Sequence, residues 1–382
     1  MAEERKIRVH NKSDKPDNVV ARENEIFEEC EKIERELPGW MRGYFMYLRN
    51  GVLPMSRLSY LRELRFFLHY LLKETELQET CTEMKKIQPG DLNKITSMDV
   101  NLFIDYCRRY KVEDEKGNVT VYENGNAALA HKKSAVSVFF KYLYRDGLVE
   151  KNITDGFDPI RLPKPGERVI KALQDDEVMR MLDAVVSGEG LTDREKQFWE
   201  KTKYRDKLML LLLVTYGLRL SEMQQLNLSS FNFERGEFKI YRKRGKESVM
   251  PINNTITEAY NEYVTLERAP DDTLSEENKD ALLLSLRGTR LTDRQIREVV
   301  KKYTSITMGT SRRQGYSPHK LRATAATSLI GRGNSIYDVQ ELLDHDNVTT
   351  TQLYAAHKLN TKRELIKNFE WGEDLNRNGP DK

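Results

Sequence analysis

The stretch SRLSYLRELRFFLHYLLKE places Leu58, Leu61, Leu64, Leu68 and Leu72 at helical spacing, which predicts an amphipathic helix with one broad apolar stripe. Arg57, Arg62 and Arg65 fall at or beyond the edges of that stripe. The acidic run ENEIFEECEKIERE, Glu23 to Glu36, predicts an exposed helix ended by Pro38-Gly39, after a loose N-terminal arm. TSMDVNLFIDYCRRY predicts a further helix with Ser97 as its N-cap, and AALAHKKSAVSVFFKYLYRDG another, stopped at Gly147. Between these two, EDEKGNVTVYENGN reads as a turn-rich excursion. The helices from about Leu37 to Asp155 compose a compact all-helical unit.

A boundary follows. FDPIRLPKPGERVIKAL holds Pro159, Pro163, Pro165 and Gly166 within a short span, which predicts an extended linker. Helices resume at QDDEVMRMLDAVV and YRDKLMLLLLVTYG, and the apolar run Leu208 to Leu218 is far too short for a bilayer span, so it predicts a buried helix. EFKIYRKRGKESVMPI predicts two strands joined by a basic turn containing Gly245. Helical patterning continues to TKRELIKNFEWG, with no internal repeat. The fold class expected is mainly α with a small β-sheet. Residues 1–36 are an arm and exposed helix, 37–156 a helical domain, 157–171 a linker, 172–370 a mixed α/β domain, and 371–382 a polar tail.

With 382 residues the chain has room for two domains. Hydrophobic content of 38% and charged content of 32% suit a soluble, helix-rich protein. A net charge of +3 does not announce a nucleic-acid binder, so any basic surface must come from local clustering. Cys30, Cys81 and Cys107 are scattered without CxxC or histidine partners, which argues against zinc and disulfides and fits a reducing compartment. The polar opening MAEERKIRVHNKSDKPDN is no signal peptide, and a cytoplasmic, nucleoid-associated location with no membrane contact is expected.

Four segments carry candidate chemistry. In TYGLRLSEMQQL, Gly217 ends the apolar helix, Ser221 can cap the next, and Arg219 sits at the junction with Glu222 near enough to orient it. In SPHKLRATAATSLI, Ser317 or Pro318 starts a helix that puts His319 and Arg322 on one face, a pairing suited to a phosphate and a proton transfer beside it. YRKRGKES sets Arg242, Lys243, Arg244 and Lys246 around a turn, as a solvated hairpin tip or as a probe of a nucleic-acid groove. In LLDHDNVTTTQLYAAH, His345 ends a helix and Tyr354 follows in a polar segment. A free tyrosine, with a pKa of roughly 10, attacks phosphorus only with cations and a base nearby. Lys132 and Lys133 open a helix as candidate DNA contacts or as an ordinary solvated helix start. Taken singly, each segment also has an ordinary structural reading.

Taken together and in order, GLRLSE, a basic hairpin lysine, HKLR, LLDH and TTTQLY resemble the tyrosine recombinase (phage integrase) family over roughly Ala172 to Lys367. That family's pattern is an arginine followed by SE, a lysine in a GKGNKERxVPL-like hairpin, HxxR, LGH and TTxxY. SAVSVFFKYLYRDGLVEKNI is similar to the end of the family's core-binding domain. The resemblance implies a helical core-binding domain and a mixed α/β catalytic domain that clamp a duplex. It makes Arg219, His319, Arg322 and His345 phosphate-site residues and Tyr354 the nucleophile. Counting back from Pro251, it makes Lys243 the leaving-group acid and Lys246 the second, non-catalytic lysine. It further implies a 3′-phosphotyrosine intermediate without metal, ATP or other cofactor. The partners it implies are double-stranded recombination sites and a homo-tetramer in the synaptic complex, in which a terminal segment docks on a neighbour; TKRELIKNFEW is the candidate for that segment, with packing within its own chain as the alternative, and an accessory directionality protein is a further candidate partner. Two departures stand out: Asp344 occupies the LGH glycine, and the hairpin reads RKR for GKG. The insertion SGEGLTDREKQFWEKTK has no assigned role. The extra N-terminal stretch and insertions favour a mobile-element integrase. The alternatives are a Xer-like dimer resolvase, a non-catalytic DNA-binding protein of the same fold, and a type IB topoisomerase-like enzyme.

Overall fold

The computed structural model describes residues 15–114, 116–163, 170–242 and 245–344. The chain divides into two compact units, Met1–Leu162 and Pro163–Lys382, and the division falls within the proline-rich stretch. The first unit carries α1 (Asp17–Glu36), α2 (Arg42–Gly51), α3 (Pro54–Glu74), the single turns α4 (Leu77–Thr80) and α5 (Pro89–Leu92), α6 (Ser97–Tyr106) and α7 (Asn126–Arg145). The leucine stripe of α3 is buried as its spacing predicts: Leu58, Leu61, Leu64, Leu68 and Phe67 meet Phe103 of α6 and Phe139 and Phe140 of α7 in one core.

Four features of this unit differ from the sequence reading. α1 begins at Asp17 and is not an exposed appendage, because Cys30 and Ile33 enter the core and α1 packs along α3. Its few apolar residues are enough to define a buried face within a strongly charged helix. Arg57 is not at a solvent edge; only 2% exposed, it donates through Nε to Glu34 of α1 at 3.1 Å, with Nη2 on the same oxygen. The turn-rich excursion is a hairpin, β1 (Arg109–Glu113) against β2 (Val119–Glu123), antiparallel with Tyr110 opposite Tyr122. Helix α6 is capped one residue earlier than expected, by Thr96, whose hydroxyl accepts from Asp99 N–H while the Asp99 carboxylate accepts from Thr96 N–H. The Ser97 hydroxyl donates instead to the Ile153 carbonyl.

The second unit runs through α8 (Asp175–Ser187), α9 (Asp193–Trp199), α10 (Lys203–Tyr216) and α11 (Leu220–Gln224). A small antiparallel sheet follows in the order β3 (Phe231–Asn232), β4 (Glu237–Tyr241), β5 (Glu247–Pro251). Then come α12 (Asn254–Leu266), the single turn α13 (Glu276–Lys279), α14 (Asp293–Thr307), α15 (Pro318–Gly331) and α16 (Ile336–Leu343). The apolar run forms α10, buried on all sides, and packs against α8, α12 and α15. A fully buried Asp206 on α10 is satisfied by Arg205 and by Lys302 of α14 at 3.0 Å. The 187–203 insertion forms α9 and closes on the same body: Trp199 Nε1 donates to the Val185 carbonyl at 2.7 Å, and Glu195 receives two hydrogen bonds from Arg312. Its role in the fold is to fasten the ends of α8 and α14.

Replacing Glu34 by alanine leaves the Arg57 guanidinium buried without its carboxylate. This is expected to destabilise the protein by about 3 kcal/mol in urea unfolding of the full chain. A change below about 0.5 kcal/mol would show that the pair contributes nothing.

Candidate active site

The site is built where α10 ends. Gly217 takes φ 59°, the left-handed conformation that closes many helices. A side chain there would also collide with its surroundings, because a Cβ would lie 2.6 Å from Leu343 and 3.4 Å from the Arg322 side chain. Glycine at this position therefore serves both backbone and packing. The chain then turns into α11 with Arg219, not Ser221, as the N-cap residue. Glu222, almost fully buried, holds Arg219 twice: its Oε2 accepts from the backbone N–H at 2.8 Å and its Oε1 from Nη1 at 2.7 Å.

Opposite this junction, α16 ends at Leu343; the Asp344 N–H bonds back to the Gln340 and Glu341 carbonyls, which leaves those of Leu342 and Leu343 beyond it. Three arginines from distant parts of the chain satisfy three successive carbonyls. Arg242 Nη2 donates to Leu342 at 2.7 Å, Arg322 Nη2 donates to Leu343, and Arg219 Nη2 donates to Asp344 at 2.7 Å. Arg322 also donates through Nη1 to the Gly217 carbonyl at 2.6 Å, so it ties the end of α10 to the end of α16. Cations at a helix C-terminus meet the negative end of its dipole, which adds to these hydrogen bonds. Arg322 and Arg242 are only 3% and 5% exposed, so the guanidiniums are held rigidly.

Asp344 takes φ 50° and ψ 56°, and its carboxylate lies among the cations. Lys246 donates to Oδ1 at 3.0 Å, while Arg219 and Arg242 approach Oδ2 at 3.6 and 3.9 Å. Partial burial pushes this carboxyl up, but the Lys246 hydrogen bond and the charges of Arg242, Lys246 and Arg219 outweigh it and leave the pKa below the ordinary aspartate value. His319 lies one turn before Arg322 at the start of α15, which is capped by Ser317 and opened by Pro318. Its ring reaches solvent, yet desolvation by the surrounding protein and the charges of Lys320, Arg322 and Arg219 push its pKa below the usual histidine value.

Among the residues singled out from sequence, Arg219, Arg242, Lys246 and Arg322 meet at this turn, with His319 beside them. Lys243, Arg244, His345 and Tyr354 lie outside the described residues, as do the TKRELIKNFEW segment and the polar tail. Lys132 is buried in the first unit, with its ammonium bonded to Glu63 at 2.5 Å and over the Phe66 ring. Lys133 donates to the carbonyls of Phe157 and Asp158. Both lysines thus have internal partners. The sequence reading missed that Arg242 is a buried member of the site and that Asp344 is its counter-charge; the signal was the opposite charge of the two departures from the family pattern. Among the described residues no group of three or more His, Cys, Asp or Glu is placed to hold a metal ion, and no helix is long and apolar enough to cross a membrane.

The model of the phage integrase family matches residues 171–361, which takes in the whole of this site. Over 313 residues the chain is 32% identical to the tyrosine recombinase XerC of Pseudomonas savastanoi pv. phaseolicola (strain 1448A / Race 6), covering 81% of this chain and 89% of that protein. The fold is similar to that of a XerH site-specific recombinase bound to a palindromic difH substrate in a post-cleavage complex, with a TM-score of 0.58 at 17% identity over 94% of this chain and 90% of that one. It is similar also to the Tn1549 transposon integrase (residues 82–397) in complex with circular intermediate DNA, with a TM-score of 0.54 at 17% identity over 88% of this chain and 98% of that one. The chain belongs to the phage integrase family, the tyrosine recombinases, whose members are site-specific DNA recombinases.

Gly217→Ala forces a β-carbon into both the left-handed backbone and the Leu343 contact. It is expected to cost at least about 2 kcal/mol of stability in chemical denaturation. Wild-type stability in this variant would mean that the close approach of α10 and α16 is not needed.

Proposed function

We propose that this protein cleaves and rejoins duplex DNA at a specific site through a 3′-phosphotyrosine intermediate, with Tyr354 as nucleophile. The Tyr354 oxygen bonds to phosphorus as the bond from phosphorus to the 5′-oxygen breaks. His319 takes the phenolic proton, and Lys243 supplies one to the departing 5′-oxygen. Arg219 and Arg322, with His345, hold the non-bridging oxygens and neutralise the charge that grows in the pentavalent transition state. The free 5′-hydroxyl of another strand then reverses the attack, so the bond energy is conserved and neither ATP nor a divalent metal is required. The observation that carries this reading is the convergence of Arg219 and Arg322 on adjacent carbonyls of the turn that immediately precedes His345 in the chain.

In its biological role the protein is read as a mobile-element integrase acting as a tetramer on its core sites. The hairpin in the first unit and the α9 insertion in the second support that reading as extra segments. A second reading, a resolvase of DNA dimers, is favoured by the similarity to XerC over most of that protein's length.

Tyr354→Phe is expected to retain DNA binding and lose all covalent attachment, whereas the wild type attaches in the presence of EDTA. The experiment isolates the protein from its host under denaturing conditions and sequences the DNA still joined to it. Attachment by the phenylalanine variant would move the nucleophile elsewhere, and a strict metal requirement would overturn the mechanism. Reads at the ends of a mobile element support the integrase role, and reads at one chromosomal locus support the resolvase role.

The depressed His319 pKa places the acid limb of the cleavage rate below the ordinary histidine value of about 6.5, since the base must be neutral to accept a proton. Lys320 contributes to that depression, so Lys320→Met raises the pKa and is expected to move the acid limb to higher pH. A pH–rate profile of single-turnover cleavage tests this, and a limb unmoved or shifted to lower pH would remove His319 as the base.

A further inference from the structure

We propose that Arg242 and Asp344 are a matched pair of positioning residues, which fastens the β4–β5 hairpin to the C-terminal turn of α16 and thereby sets the guanidinium of Arg219. The proposal rests on the reading of Arg219 as a phosphate-site residue. Both members of the pair stand where the family pattern carries glycine, and they carry opposite charges. Side chains have thus been added at two positions, one on each side of the same gap.

The geometry explains each of them. Arg242 is 5% exposed, its Nη2 is used on the Leu342 carbonyl, and its Nε and Nη1 are buried with no hydrogen-bond partner among the described residues. A guanidinium in that condition is costly to keep, and the Asp344 carboxylate 3.9 Å from Nη1 is a counter-charge that offsets the cost. Asp344 in turn is the one non-glycine residue among those described with positive φ. That conformation is natural for the glycine of the pattern, and aspartate is among the few other residues that adopt it readily. Glycine would hold the turn as well, so what aspartate adds is the work of its side chain.

That work is addressed to two places. On the hairpin, the carboxylate receives Lys246 at 3.0 Å and faces Arg242. On the other side, Asp344 holds Arg219 through its carbonyl at 2.7 Å and faces Nη1 with Oδ2 at 3.6 Å. Glu222 grips Arg219 from the opposite flank, so the guanidinium lies between two fixed acceptors. The pair therefore acts through Arg219 and the hairpin, without itself reaching a phosphate. In sequence, Arg242 precedes Lys243 and Asp344 precedes His345.

The test is a double-mutant cycle on the full chain with Arg242→Gly, Asp344→Gly and the combination. The probe is the duplex recovered from the wild-type covalent adduct, nicked so that the released strand diffuses away. Equilibrium DNA affinity and single-turnover cleavage rate are measured for each variant, with a melting curve. Each single variant is expected to cleave at least about tenfold more slowly at DNA affinity within about threefold of wild type, and the glycine–glycine double is expected to return within about threefold of the wild-type rate. If a glycine single fails to fold, the same cycle with Arg242→Met and Asp344→Asn replaces it, and the same non-additive recovery is expected. Losses that simply multiply in the double would overturn the pairing. Affinity that falls in step with rate would overturn the positioning role in favour of a direct DNA contact. A wild type that cleaves no DNA at all would instead sink the recombinase reading, and the pair's role with it.

Discussion

Everything in the catalytic unit depends on how the last turn of α16 is closed. A helix end leaves carbonyls unsatisfied, and here Leu342, Leu343 and Asp344 each receive a hydrogen bond from a different arginine. Those arginines come from the β4–β5 hairpin, from α15 and from the α10–α11 junction. One short turn therefore collects cationic side chains from three distant segments of the unit, and the approach of α10 that makes this possible leaves room for nothing larger than Gly217. Among the described residues, four cationic side chains stand around the turn, Arg219, Arg242, Lys246 and Arg322, against two carboxylates, Glu222 and Asp344. That excess of positive charge is what the proposed reaction asks of the site, since a phosphodiester gains negative charge in its transition state.

Such a cluster faces an electrostatic problem before DNA arrives. Like charges held within a few ångströms in a partly desolvated site repel strongly, and burial depresses the basicity of Arg242 itself. The solution is to give each guanidinium a fixed acceptor within the protein. Glu222 is buried against Arg219, carbonyl dipoles take Arg322 from two sides, and Asp344 serves the hairpin side. Under the proposed reaction, donors oriented in advance would need little reorganisation as charge develops on the phosphate.

Much of this was legible in the sequence. The leucine spacing of α3, the apolar run of α10 and the strand–turn–strand at β4–β5 are strong local signals, and they fold as written. The places of Arg219, His319 and Arg322 at or near helix starts follow from short motifs. The failures share a cause. Helix α1 was read as exposed because charged residues outnumber its buried ones, and only the α3 partner shows that Cys30 and Ile33 form a face. Arg57 looked like an edge residue because its partner, Glu34, lies on another helix. The β1–β2 hairpin reads as turns because Gly117 and Asn118 stand at its centre and its strands are exposed on nearly every residue, although Arg109 to Glu113 alternates polar and apolar side chains. Each miss is an interaction between segments, which a local pattern does not encode.

Asp344 and Arg242 are the sharpest example. Read along the chain, one is a glycine lost from a turn and the other a glycine lost from a hairpin, and each alone looks like damage to a motif. In space the two losses face each other, and the positive φ of the first accompanies the burial of the second. Arginine at 242 without the aspartate would be a buried guanidinium without its counter-charge, among the costlier defects a protein can carry. The two together exchange backbone freedom for side-chain contacts at the same junction. A motif in this family is therefore better described by the geometry it must hold than by the residue types that usually hold it, and the turn before His345 is held here by charge where the pattern holds it with glycine.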